Sequence, residues 1–142
     1  MKIVGIEHIG IASDDLSKAN KFWNLVLGIN NTCTEDIDNQ GVITDIYDTG
    51  NGKIEILLSK YPNSAIAKFI RKRGCGIHHL CLSVESIDEA INELKENEFK
   101  NIYSDNKNDK SFIEDVIIET DLEVFIPDFY IKNVTERMNV YN

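Results

Sequence analysis

Apolar positions in this chain follow two rhythms, period-two runs and helical stripes, and the succession of the two occurs twice. Residues 3–12 read as a buried strand. Ser13-Asp14-Asp15 then offers an N-cap, and Leu16, Ala19, Trp23, Val26 and Leu27 follow at the spacing of one helix face. Gly28 ends that helix as a C′ residue. Strand-like stretches come next over residues 31–35, 42–47 and 53–59. The last two are joined by Asp48-Thr49-Gly50-Asn51-Gly52, a hairpin signal. The first half is therefore a β-α-β-β-β unit. A short helix over 65–72, capped by Asn63 or Ser64 and stopped by Gly74, leads to the second half. There residues 77–84 form a strand, Ser86-Ile87-Asp88-Glu89 a capping box, and Ile87, Ala90, Ile91 and Leu94 a buried stripe. Residues 101–103, 111–118 and 121–126 supply three more strands, with the polar loop Asn106-Lys107-Asn108-Asp109-Lys110 between the first two. After Pro127 only 134–138 has any helical character.

The repetition extends to individual residues. Ile6-Glu7-His8-Ile9-Gly10-Ile11-Ala12 aligns with Ile77-His78-His79-Leu80-Cys81-Leu82-Ser83 at a constant offset of 71 residues. At the same offset Leu16 meets Ile87, Ala19 meets Ala90 and Trp23 meets Leu94. Downstream of each histidine a strand carries a central glutamate, Glu55 in Lys53-Ile54-Glu55-Ile56-Leu57 and Glu123 in Asp121-Leu122-Glu123-Val124-Phe125. The His-to-Glu spacings are 47 and 44 residues. A duplication that carries one His and one Glu per copy points to a single site built from both. Two imidazoles and two carboxylates form a ligand set that suits a divalent metal.

Strand alternation refines this reading. His8, Gly10 and Ala12 share one face of the first strand and Ile9 and Ile11 the other. His79, Cys81 and Ser83 oppose Leu80, Leu82 and Val84. Ile54, Ile56 and Leu58 lie opposite Glu55, as Leu122, Val124 and Ile126 do opposite Glu123. All four ligand candidates thus face away from an aliphatic stripe suited to packing on helices. The small residues beside the histidines leave room for a substrate. His78 points to the helix side and reads as structural. Glu119, beside an expected tight turn at Glu119-Thr120, competes with Glu123 for the fourth position.

The 142 residues suffice for one domain with a real core. A net charge of −9 argues against a nucleic-acid partner. Cys33, Cys75 and Cys81 show no CxxC spacing and read as small buried hydrophobes. No charged, apolar leader opens the chain and no run approaches membrane-spanning length. The expectation is a cytoplasmic protein with no membrane partner.

At these residues the chain resembles the vicinal oxygen chelate superfamily, which includes glyoxalases, bleomycin-resistance proteins and dioxygenases, and within it the methylmalonyl-CoA epimerase family. The resemblance is carried by residues 6–12, Phe22-Trp23 with Leu27-Gly28, Gln40-Gly41-Val42, Ile54-Glu55-Ile56-Leu57, and residues 63–74 leading into Gly76-Ile77-His78-His79-Leu80. It implies an α+β fold: two tandem βαβββ modules in a cupped, barrel-like mixed sheet around one metal site. Residues 1–142 would form one such domain, with module one at about 3–60, a linker helix at about 64–73, module two at about 76–126 and a tail at 127–142. His8, Glu55, His79 and Glu123 match the metal-ligand positions, for one divalent ion such as Co, Mn, Ni or Zn.

The implied activity is that of an isomerase. An acyl-CoA chelates the ion, an α-proton is lost to give a metal-stabilised enolate, and a proton returns on the opposite face. Glu123 matches a catalytic glutamate of that chemistry. The lookalikes also imply a homodimer. Two departures stand out. Thr44 occupies the place where some epimerases carry a second catalytic glutamate, and Asp45 beside it lies on the opposite face, so the second proton carrier is unassigned. The loop that precedes the last strand in epimerases is replaced by residues 115–121, which puts methylmalonyl-CoA itself in question. Glyoxalase I-like lactoylglutathione lyase or oxygenase chemistry, and a non-catalytic, antibiotic-sequestering module, are the rival readings. The basic stretch Lys68, Arg71, Lys72 and Arg73 suits either the phosphates of a CoA tail or a solvated helix face.

Overall fold

The computed structural model describes residues 1–98 and the strand segments 102–104, 115–119 and 128–133. Its contacts divide the chain into two units, His8–His78 and Met1–Glu7 with His79–Asn142. The boundaries fall inside the strands that carry the two aligned histidines.

The first unit follows the predicted order. Strand β1 (Ile3–Ser13) is followed by α1 (Leu16–Asn20) and its π-helical continuation Lys21–Val26. Strands β2 (Asn31–Ile37), β3 (Val42–Asp48) and β4 (Lys53–Ser59) come next, then α2 (Ala65–Arg73). The sheet order is β2-β3-β4-β1. Neighbouring strands are antiparallel except β4 and β1, which run parallel with Gly10 opposite Glu55. Asp15 caps α1 by accepting the Lys18 N–H at 3.0 Å. In the β3–β4 hairpin the Asp48 carboxylate accepts the Gly50 N–H at 2.7 Å, and Gly50 takes φ +87°, which suits glycine.

Helix α1 covers the sheet face that carries Tyr47 and Ile56, both almost fully buried. The Trp23 and Tyr47 rings lie 6.1 Å apart, and the Asn20 amide donates to the Tyr47 hydroxyl at 3.2 Å. The predicted stripe does not continue past Trp23. Leu25, Val26 and Leu27 are exposed. The physical reason is the π segment: the Leu27 N–H reaches back five residues to the Phe22 carbonyl, widening the turn and shifting later residues off the buried face.

Helix α2 packs on the other face. Ile66 lies among Ala12, Val42 and Leu57, with Phe69 and Ile70 against them. Burying an isoleucine this way stabilises by about 2–3 kcal/mol. Ser64, the predicted cap, accepts the Ala67 N–H at 3.1 Å, and Gly74 (φ +81°) ends the helix.

The second unit repeats the plan: β5 (Gly76–Val84), α3 (Ile87–Glu96), β6 (Ile102–Ser104), β7 (Asp115–Glu119) and β8 (Asp128–Asn133). From His79 onward β5 belongs to this unit. Its sheet order, β5-β8-β7-β6, mirrors that of the first, with β8 parallel to β5 as β4 is to β1. The protein is thus α+β, built from two βαβββ halves. Ser86 caps α3 by accepting the Glu89 N–H, and Ile87, Ala90, Ile91 and Leu94 are its buried residues, as predicted.

Some expectations need correction. Ile3, Val4 and Ile6 are exposed, so the burial expected of the whole first strand begins at Glu7. A strand that the sequence reading did not include, 128–133, pairs with β5, and β7 meets it with Glu119 opposite Asp128. Glu119 ends β7, and Thr120, the other residue of the expected turn, lies outside the described residues. Residues 121–126, the polar loop 106–110 and the tail segment 134–138 lie outside the described residues. Cys81 is buried as expected, but Cys33 and Cys75 are exposed. The first lies on β2, which has a single neighbouring strand within its unit, and the second in the connection after α2.

Candidate metal centre

Glu55 sits mid-strand on β4, with Gly10 of β1 and Ile46 of β3 directly across from it. Residues directly opposed across a ladder share a face, so His8, Gly10, Glu55 and Ile46 all project to one side of the first unit's sheet. Gly10, buried between them along β1, places no side chain of its own between His8 and Glu55. His8 is 9 % exposed, and its Nδ1 stands 3.5 Å from the Glu55 Oε1. That is longer than a well-formed N–H···O bond. It is the spacing expected of two donors to one ion: bonds of about 2.1 Å in tetrahedral geometry separate ligand atoms by about 3.4 Å. Imidazole and carboxylate together suit zinc and the neighbouring first-row divalent ions. The pair therefore fits half of a metal centre.

The far end of this face is closed. Ala12, expected to border open space, is 0 % exposed because Ile66 of α2 lies against it. The Ser59 and Ser64 hydroxyls meet at 2.7 Å and tie α2 to β4 at the same end.

The other predicted residues are distributed as follows. His79 is buried on β5 in the second unit, and its face-mates Cys81 and Ser83 are each 1 % exposed. Glu123 lies outside the described residues, and Glu119 is the last residue of β7. His78 is buried with its ring 4.9 Å from that of Phe69 in an edge-to-face contact, as a structural histidine would be. Asp45 lies on the α1 side of the sheet and accepts the Thr34 hydroxyl at 2.6 Å. That places it away from His8 and Glu55, in keeping with the sequence reading.

One residue of this face entered the sequence reading only as a departure, a threonine where some epimerases carry a catalytic glutamate. Thr44 is 1 % exposed, and its hydroxyl has no hydrogen-bond partner among the described residues. It stands opposite Leu57 on β4 and Glu35 on β2. The basic residues of α2 take the opposite disposition. Lys68, Arg71 and Lys72 occupy the exposed side of the helix, turned from Ile66, where Arg71 donates to the Pro62 carbonyl at 2.6 Å. Cations there also interact favourably with the helix C-terminus.

Residues 7–112 match the sequence profile of the Glyoxalase/Bleomycin resistance protein/Dioxygenase superfamily. The mitochondrial methylmalonyl-CoA epimerase of Mus musculus is 30 % identical over 107 residues, covering 75 % of this chain and 60 % of that protein. The ethylmalonyl-CoA/methylmalonyl-CoA epimerase of Cereibacter sphaeroides is 36 % identical over 92 residues, 64 % of this chain and 69 % of its own length. The chain spans between 55 and 60 % of the length of the mammalian relatives it matches. In fold it resembles the crystal structure of methylmalonyl-CoA epimerase from Mycobacterium tuberculosis. The TM-score is 0.78 at 22 % identity, over 92 % of this chain and 88 % of that one.

Proposed function

The chain belongs to the glyoxalase/bleomycin resistance protein/dioxygenase superfamily, and from that premise we propose that it is a divalent-metal-dependent isomerase, an epimerase of the methylmalonyl-CoA type. The observation that carries the reading is the His8–Glu55 pair, 3.5 Å apart on one sheet face. The internal repeat supplies its counterpart, His79 and Glu123. In this proposal those four residues hold one divalent ion. For Glu123 the support is the repeat and the family resemblance, with Glu119 as the competing carboxylate.

A divalent ion held there supplies Lewis-acid stabilisation of the negative charge that develops next to a thioester carbonyl when the α-proton leaves. The remaining work falls to the chain. His8 and Glu55 fix one side of the ligand set on adjacent parallel strands. Gly10 keeps the space between them free of a side chain. Burial of His8 excludes bulk water, which strengthens electrostatic interactions at the site. Glu123 is the proposed carrier of one proton, taking it from the α-carbon on one face; the return on the other face inverts the centre. Thr44 does not act as the second carrier, because a neutral hydroxyl is a poor base at pH 7. Asp45, on the far side of the sheet, does not either. The substrate is proposed to be a small acyl-CoA and the compartment the cytoplasm. Among the described residues no helix is long and apolar enough to cross a membrane.

Metal-loaded protein incubated with methylmalonyl-CoA in deuterated water should exchange the α-proton, read by mass spectrometry. Elemental analysis should return about one ion per chain. A metal-replete protein that exchanges no α-proton of any chelating thioester refutes the epimerase assignment. Turnover of hemithioacetals in its place would move the chain to glyoxalase chemistry.

A further inference from the structure

We propose that the Thr44 hydroxyl is a ligand-binding group of the site, donating a hydrogen bond to an oxygen of the bound acyl substrate. The inference deepens the epimerase reading and rests on it. Three observations lead here. First, Thr44 is 1 % exposed and its Oγ1 has no partner among the described residues. Second, its buried neighbours on that face offer little, and the exposed Glu35 directly across on β2 makes no hydrogen bond with it. Leu57 stands directly across on β4, and Val42 and Ile46 lie two positions away on its own strand, all three apolar and buried. A valine would fill the same volume without the cost of a hydroxyl cut off from water. The threonine is thus an expensive choice for packing alone. Third, the hydroxyl shares its face with the candidate metal ligands. Ile46 is the residue opposite Glu55, and Thr44 is two positions further along β3. One strand spacing and two residue rises put Thr44 and Glu55 about 8 Å apart at Cα. A ligand anchored at His8 and Glu55 needs only a few heavy atoms to span that distance. Carboxylate and carbonyl oxygens, the acceptors of a chelating acyl thioester, are the matching partners for an O–H donor. Thr44 lies in the same row as Leu57 and Ala12, the row that Ile66 of α2 packs against, so the contact forms only as the ligand enters and displaces that apolar cover.

The test compares wild type, Thr44→Val and Thr44→Ser as metal-loaded full chains. α-Proton exchange gives kcat and KM with methylmalonyl-CoA, calorimetry gives its dissociation constant, and melting curves are taken with and without it. Thr44→Val should bind methylmalonyl-CoA about tenfold more weakly or worse, the usual consequence of losing a hydrogen bond to a charged acceptor. It should melt at or above the wild-type temperature when ligand-free. Thr44→Ser, which keeps the hydroxyl, should recover most of the affinity. If Thr44→Val matches wild type in KM, kcat and dissociation constant while wild type is active, the Thr44 role is overturned and the epimerase reading stands. If wild type binds but does not exchange, the epimerase reading falls, and the ratio of dissociation constants still judges Thr44. A wild type that neither binds nor exchanges overturns both.

Discussion

The attachment of α2 to the sheet decides how far the candidate site extends, and a short hydrogen-bond relay holds it. Ser59 Oγ donates to the Tyr61 carbonyl at 2.7 Å, so its single proton is committed there. Ser64 Oγ therefore donates to Ser59 Oγ, at 2.7 Å, and accepts the Ala67 N–H at 3.1 Å. Ser64→Ala removes the helix cap, worth about 1 kcal/mol. It also removes the buried bond to Ser59, worth about 1 kcal/mol more. The expected loss is about 2 kcal/mol, a fall in melting temperature of roughly 6–8 °C for a chain of this size. Ser59→Ala breaks the bond to Tyr61 and the shared one, for a similar loss. Each single variant counts the Ser59–Ser64 bond, so the double variant should cost less than the sum by about 1 kcal/mol. Urea unfolding of the four proteins measures all three quantities. Additivity to within about 0.3 kcal/mol would show that the two hydroxyls are not coupled, and the argument that they pin α2 over Ala12 would fail.

Three further outcomes follow from the same geometry. Glu55→Gln keeps the side chain's size but removes its charge, and should weaken metal affinity at least tenfold, no less than the lower end of the about 10–100-fold cost of losing an outer partner of a ligand. Retained stoichiometry in both Glu55→Gln and His8→Ala/His79→Ala, by elemental analysis after dialysis, would count against the shared centre. Glu123→Gln should lose both metal and α-proton exchange while Glu119→Gln keeps them; the reverse pattern assigns the position to Glu119. Burial raises the Tyr47 phenol above its ordinary value of 10.0, against the Asn20 hydrogen bond that lowers it and with the Asp45 charge that raises it further. The folded chain then holds that proton more tightly than the unfolded one. Its contribution to stability is complete below pH 10 and is lost as the pH climbs through the folded value. Tyr47→Phe should flatten the alkaline fall in stability, read by urea unfolding across pH 9–11.

What the sequence made legible differs between the level of the repeat and the level of the single strand. The helix caps, the α3 stripe and the hairpin at Gly50 depend on local chemistry, and they stand where their residues say. The last strand does not. Asp121-Leu122-Glu123-Val124 alternates ahead of Pro127, whereas Phe129-Tyr130-Ile131 behind it is a short unbroken run, so alternation marks the first stretch and not the second. Pro127 lacks an N–H and reads as easily as the punctuation before a strand as after one. Pairing with β5 makes 128–133 a strand, through a contact 49 residues away in sequence between His79 and Asp128. The π segment escaped for a related reason. Phe22, Trp23, Leu25, Val26 and Leu27 supply apolar residues at almost any helical period, so the slip in register at Phe22 left no trace in the pattern.

The site shows the same division. One histidine and one glutamate on strands are unremarkable, and only their duplication singled out His8 and Glu55; the 3.5 Å approach across parallel strands belongs to the first copy of that pair. Thr44 has no such partner in the second half, and a threonine on a strand carries no message by itself. Its significance depends on burial among Leu57, Val42 and Ile46, which register creates and composition does not record. The duplicated residues are thus the ones a shared ion would require. The unduplicated hydroxyl beside them is where this chain's own ligand preference would be written, because a substrate with distinct ends breaks the symmetry that two equal halves impose.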